Sequence, residues 1–132
     1  MTAVGIDAVL EAARARVSSI APPEAARLQA AGATLVDTRP VTQRTEFGEI
    51  PGAVVIDRNV LEWRLDPHGS HRDTAIDHDR AIVVFCQEGY ASVLAVASLN
   101  DVGLGDVHDL TGGFAAWADA GFPVEKKKDA PR

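Results

Sequence analysis

One side chain here is a ready nucleophile. Cys86 is the only cysteine of the chain, and it opens the segment Cys86-Gln87-Glu88-Gly89-Tyr90-Ala91-Ser92. An apolar run at 81–85 precedes that segment, and the helical spacing of Val93, Leu94, Val96 and Ala97 follows it. The pattern reads as strand, loop and helix start. In that geometry successive backbone N–H groups converge above the cysteine sulfur, and the positive end of the helix dipole points the same way, so a sulfur anion is stabilised. Free cysteine ionises near pH 8.5, and a helix N-terminus is among the settings that favour its nucleophilic thiolate, roughly as a neighbouring cation does. Gly89 in mid-loop permits the positive φ that a tight N–H cradle requires. Taken alone, Cys86 also fits a small apolar filler, because free cysteine is among the most buried residue types. Its place at a strand end, before a glycine-containing loop, tips the balance toward chemistry.

The elements needed to hold such a loop can be read on either side of it. Ile6, Val9, Leu10, Ala13 and Val17 recur at helical intervals and form one face of an opening amphipathic helix. Pro22-Pro23 starts a second helix running to Ala30, which Gly32 can stop. Three short apolar runs then end in chemistry-bearing residues: 34–36 in Asp37, 53–56 in Asp57, and 81–85 in Cys86; a weaker run occupies 107–110. Apolar on consecutive positions, they read as strands buried on both faces. Helical patterns fill 41–47, 60–65, 92–102 and 114–120, the last closed by Gly121 and Pro123. Alternation of this kind defines an α/β fold with a largely parallel sheet, whose ligand crevice lies at the carboxyl ends of the strands.

Composition bounds the partners. The chain has 132 residues, enough for one domain, with 46% hydrophobic and 24% charged residues. Its net charge of −6 speaks against nucleic acid or an anionic membrane as a partner. A single cysteine permits neither an intramolecular disulfide nor a thiolate zinc cluster, which suits a reducing compartment. Asp7, Glu11, Arg14 and Arg16 interrupt the stretch where a signal peptide would be apolar, so a cytoplasmic protein is expected. His68, His71 and His78 stand among Asp66, Pro67, Arg72, Asp73 and Asp77, the composition of a solvated loop rather than of a metal site. No metal and no cofactor is expected, and composition sets no oligomeric state.

Several segments, in order, resemble the rhodanese-like sulfurtransferases. Asp37-Thr38-Arg39 is similar to that family's Asp-x-Arg, and Ile50-Pro51-Gly52-Ala53 to its Ile-Pro-Gly-Ala segment. Cys86-x-x-Gly89-x-x-Ser92 resembles its active-site loop. Leu110-Thr111-Gly112-Gly113-Phe114-x-x-Trp117-x-x-x-Gly121-x-Pro123-Val124 resembles its closing stretch. The resemblance spans Ser19 to Val124, leaving 1–18 as an N-terminal helical extension and 125–132 as a flexible charged tail. It implies a single domain with a central five-stranded, largely parallel sheet flanked by helices. It also implies a Cys86 that carries sulfur as a persulfide, with Gln87, Glu88, Gly89, Tyr90, Ala91 and Ser92 forming the binding loop. A small-molecule or protein donor would supply the sulfur, and a nucleophilic acceptor would take it.

Other residues divide between site and scaffold. Asp37 and Arg39 are expected to support the loop as a buried ion pair, and Phe114 and Trp117 to fill the core. Arg58 and Arg64 flank a strand end and a helical turn, where either could contact an anion over the loop or face water. Two positions depart from the family pattern: its usual arginine before the serine is Ala91 here, and Glu88 adds a negative charge. Both weigh against dianionic thiosulfate as donor. Two rivals share the architecture. A cysteine phosphatase would need an arginine six residues after the cysteine, where Ser92 stands. A non-catalytic binding module would keep the fold without turnover; the loss of arginine at 91 favours it, and the presence of Cys86 and Gly89 does not.

Overall fold

The computed structural model describes residues 2–126. Five parallel strands, β1 (Ser18–Ile20), β2 (Thr34–Asp37), β3 (Val54–Val55), β4 (Ile82–Phe85) and β5 (Val107–Leu110), form one sheet in the order β1-β5-β4-β2-β3. Six helices accompany them: α1 (Ile6–Arg16), α2 (Pro22–Ala30), α3 (Val41–Phe47), α4 (Leu61–Leu65), α5 (Ala91–Val102) and α6 (Gly113–Asp119).

Strand β4 is central because all four of its side chains are apolar, so it is suited to burial on both faces. Ile82 and Val84 join one core cluster with Leu61, Leu65, Val96 and Leu99, under α4 and α5. Val83 and Phe85 join the opposite cluster with Ala25, Phe114 and Trp117, under α2 and α6. Each such fully buried side chain contributes about 1.5–3 kcal/mol relative to exposure. The carboxyl end of β4 is therefore held from both sides, and Cys86 follows directly. Connections leave the sheet in opposite directions beyond β2 and β4, which opens a crevice between their carboxyl ends.

The structure adjusts several expectations. Ser18–Ile20 forms the fifth strand, pairing in parallel with β5 from Ser18 opposite His108 to Ile20 opposite Leu110; three residues carrying two serines give too little apolar pattern to announce a strand. The run at 53–56 is not a strand buried on both faces. Only Val54–Val55 pairs, at the sheet edge, and Val55 is exposed. Helix α1 does pack, through Leu10 and Ala13, with Val17 just beyond its end, against Val93, Leu94 and Ala97 of α5, but Ile6 and Val9 stay exposed because α5 meets only one side of the face. Of the tail expected at 125–132, Glu125 exchanges backbone hydrogen bonds with Glu49 (2.7 and 2.9 Å), and 127–132 lie outside the described residues. No helix among the described residues is long and apolar enough to cross a membrane.

Candidate active site

Cys86 lies at the base of an open cleft of about 280 Å³ between the segments that follow β2 and β4. Its lining includes Thr38, Arg39, Arg58, Gln87, Glu88, Tyr90 and Ala91. The Gly89 N–H donates to Cys86 Sγ at 3.2 Å and the Ser92 N–H at 3.4 Å, as expected of a loop wrapped around a sulfur. Gly89 has φ +87°, which only glycine adopts without strain. A Cβ there would also lie 2.7 Å from the Gly112 nitrogen, so the position is closed by contact as well as by conformation.

That contact explains the Gly112-Gly113 pair. The N-terminus of α6 presses against the cysteine loop, with Phe114 N–H donating to Cys86 O (2.9 Å) and Ala115 N–H to Gln87 O (3.0 Å). A Cβ on Gly113 would stand 2.5 Å from Cys86 O. Phe114 and Trp117 are buried in the core, as expected.

Asp37 and Arg39 form the expected buried ion pair, with Arg39 Nη2 to Asp37 Oδ2 at 2.9 Å and both side chains fully enclosed. The guanidinium also donates to Gly48 O (2.8 Å) and, at the loop, to Gln87 Oε1 (2.9 Å). It lies over the Phe114 ring, 4.1 Å from the centroid. Thr38 completes the seam: its hydroxyl and N–H both donate to Phe85 O, at 3.0 and 3.1 Å. These bonds join the turn after β2 to the turn after β4 and fix the cleft's width.

The two arginines considered as anion contacts separate. Arg58 lines the cleft, but its Nη1 is bound to both Glu62 oxygens at 2.9 and 3.0 Å. Partial burial alone would raise the Glu62 pKa; hydrogen bonds from Ser98, its own backbone N–H and Arg58 outweigh that and hold it below the ordinary range. Arg64 is not an anion contact for this cleft. It turns to the 66–73 loop, donating to His71 O (3.0 Å) and pairing with Asp73 (3.6 Å), because the helical turn points it away from the β4 end. Glu88 is exposed on the cleft rim. In the histidine loop, His78 Nε2 donates to Leu65 O, and no group of three potential ligands gathers among the described residues.

Three contributors, Asp109, Ser19 and Arg14, escape the sequence reading. Ser92 Oγ accepts the Cys86 thiol (3.2 Å) and donates to Asp109 Oδ1 (2.5 Å), while Ser19 Oγ donates to Asp109 Oδ2 (3.2 Å). Burial pushes the Asp109 carboxyl up, against the opposing pull of the Ser92 and Ser19 hydroxyls and of Arg14. Arg14, from α1, donates to Gly89 O (3.1 Å) with its guanidinium 5.8 Å from the Tyr90 ring centroid. The available signal for Asp109 was a carboxylate set between Val107 and Leu110 in a short core strand.

A parallel α/β sheet with a cysteine cradle at the end of its central strand defines the class. Residues 21–120 match the model of the rhodanese-like domain. The thiosulfate sulfurtransferase GlpE of Ectopseudomonas mendocina is 36% identical over 107 residues, covering 80% of this chain and 88% of that one. A sulfurtransferase of Allochromatium vinosum is 33% identical over 90 residues, covering 68% and 76%. Among solved structures, a Rhodopseudomonas palustris protein described as of unknown function and a possible tyrosine phosphatase superposes with a TM-score of 0.84 at 32% identity, over 95% of this chain and 98% of that one. The chain belongs to the rhodanese-like domain family, and the relatives it matches over most of its length make it a sulfurtransferase of the rhodanese type.

Proposed function

We propose that Cys86 carries sulfane sulfur as a persulfide between a donor and a nucleophilic acceptor. The observation behind this reading is the pair of N–H groups, from Gly89 and Ser92, aimed at Sγ on the floor of an open cleft. The thiolate attacks the outer sulfur of the donor. A bond forms between Sγ and that sulfur, the donor's bond to it breaks, and the remainder leaves with the electron pair, as sulfite from thiosulfate or as a thiolate from an organic persulfide. An acceptor then attacks the outer sulfur and Cys86 departs as thiolate. Two displacements make the kinetics ping-pong.

The charges of the cleft favour a donor with less negative charge than thiosulfate. Arg39 is neutralised by Asp37 and Arg58 by Glu62, while Glu88 stands exposed on the rim. An organic persulfide, on a small molecule or a protein, suits this balance. We place the protein in the cytoplasm, where a lone thiol stays reduced, and assign it no nucleic-acid or membrane partner.

The test is mass spectrometry after exposure to thiosulfate, mercaptopyruvate or glutathione persulfide, in parallel with turnover assays. Wild type should gain one sulfur atom, and donor and acceptor plots should be parallel. Cys86→Ser should show neither. Turnover retained in Cys86→Ser would end the proposal. A folded wild type that never gains sulfur would point to a binding module. Hydrolysis of an aryl phosphate would favour the phosphatase description given to the R. palustris neighbour, against which Ser92 stands where the phosphate-clamping arginine is needed.

A further inference from the structure

We propose that Asp109 is a positioning residue that shares one proton with Cys86 through the Ser92 hydroxyl. The chain of bonds runs one way: Cys86 S–H donates to Ser92 Oγ at 3.2 Å, and Ser92 O–H donates to Asp109 at 2.5 Å. Ser92 and Asp109 are fully buried, so the link between them is closed to solvent. While the Ser92 hydrogen points at Asp109, its oxygen presents lone pairs to the sulfur. That suits a thiol and opposes a thiolate.

Ionisation of Cys86 therefore requires the chain to reverse. The S–H bond breaks and its proton joins Ser92 Oγ; the original Ser92 proton passes to Asp109 Oδ1. The product is a thiolate that accepts from Ser92, and a neutral carboxyl that donates to it. One negative charge moves from Asp109 to Cys86 and none is added to the buried pair, so the second charge is avoided rather than stabilised. The groups facing Asp109 fit this arrangement. Ser19, on β1, donates to the other carboxyl oxygen, and Arg14, on α1, is the cation near it. On the same strand, His108 faces the other way, bound to Ser18 and Asp106. Glu88 lies outward on the loop and Arg39 is held by Asp37.

The proposal rests on Cys86 as the reacting group but not on sulfur transfer itself, so the test reads the thiol directly. Cys86 alkylation by iodoacetamide should follow a pH profile with two ionisation steps, because two sites that share a proton titrate as a pair. Asp109→Asn should collapse it to one step, below the upper step of wild type, with alkylation about tenfold faster midway between the two wild-type steps. Ser92→Thr, which keeps the bridging hydroxyl, should retain two steps. Infrared difference spectra of wild type against Asp109→Asn, taken at a pH midway between the two steps, should show a protonated-carboxyl band together with thiolate absorbance, and Ser92→Ala should lose that band. Near-ultraviolet circular dichroism identifies any variant that has lost its packing. A one-step profile in wild type, two unchanged steps in Asp109→Asn, or no protonated-carboxyl band beside the thiolate midway between the wild-type steps would each overturn the proposal, whatever the outcome of the sulfur-transfer assays.

Discussion

The donor preference proposed above turns on two side chains of the cleft, Glu88 and Ala91. In water-like surroundings a unit charge opposes each charge of a dianion by at most about 1 kcal/mol at contact, and by a fraction of that at the exposed rim where Glu88 stands; no unpaired arginine among the described lining residues offsets it. Glu88→Gln should lower the KM for thiosulfate about threefold at low ionic strength, and Ala91→Arg should lower it further, because a guanidinium adds directed hydrogen bonds to charge. Both gains should shrink with added salt. Steady-state kinetics at two ionic strengths checks this; KM values indifferent to both substitutions would remove Glu88 and position 91 from donor selection. Cys86, Gly89 and Ser92 were legible because their chemistry and spacing lie within seven consecutive residues. Asp109 was not, since its significance arises only where β5 passes behind Ser92. Arg58 was legible only as a candidate, poised between the cleft and solvent; nothing in its type reveals either its place in the lining or the bond to Glu62.

Among the elements, the cysteine loop and the start of α6 behave as one unit. Gly89 meets Gly112 and Gly113 at backbone contact, and two N–H groups of α6 hold the loop's carbonyls. Gly89→Val should therefore harm both properties: positive φ alone costs about 1–3 kcal/mol, and the contact with Gly112 displaces α6 as well. A drop of several degrees in Tm together with loss of most turnover is expected by calorimetry and assay. Unchanged stability would mean that the loop yields without moving α6. The sequence suggested the conformational demand at Gly89, but the approach of Gly112 is a tertiary fact. The central strand was plain from its apolar run, whereas β1 was hidden by its serines. Both Ser18 and Ser19 have partners on β5, His108 and Asp109, so the polarity that obscured the strand belongs to its pairing.

For the molecule as a whole, the buried carboxylate behind the site is a thermodynamic load. Its native pKa lies above the ordinary aspartate value, chiefly through burial. The native state therefore binds more protons than the unfolded chain between those two values, and stability falls as pH rises through that window. Asp109→Asn should raise Tm by a few degrees at neutral pH. The gain should dwindle as pH falls through the native ionisation and vanish below the ordinary aspartate range; thermal melts across pH check it, and a constant difference would show that Asp109 carries no such load. The α/β architecture and the position of the crevice were legible from alternating patterns, which are local, while sheet order and edge exposure depend on pairings between distant segments. A last consequence follows from the solitary thiol beneath the cleft. With no resolving cysteine in this chain, a sulfenic acid formed at Cys86 cannot close into an internal disulfide, and its rescue depends on a thiol from outside. The cleft proposed to admit a sulfur donor is also the route by which such a reductant must arrive, so donor and rescuing thiol compete for one entrance.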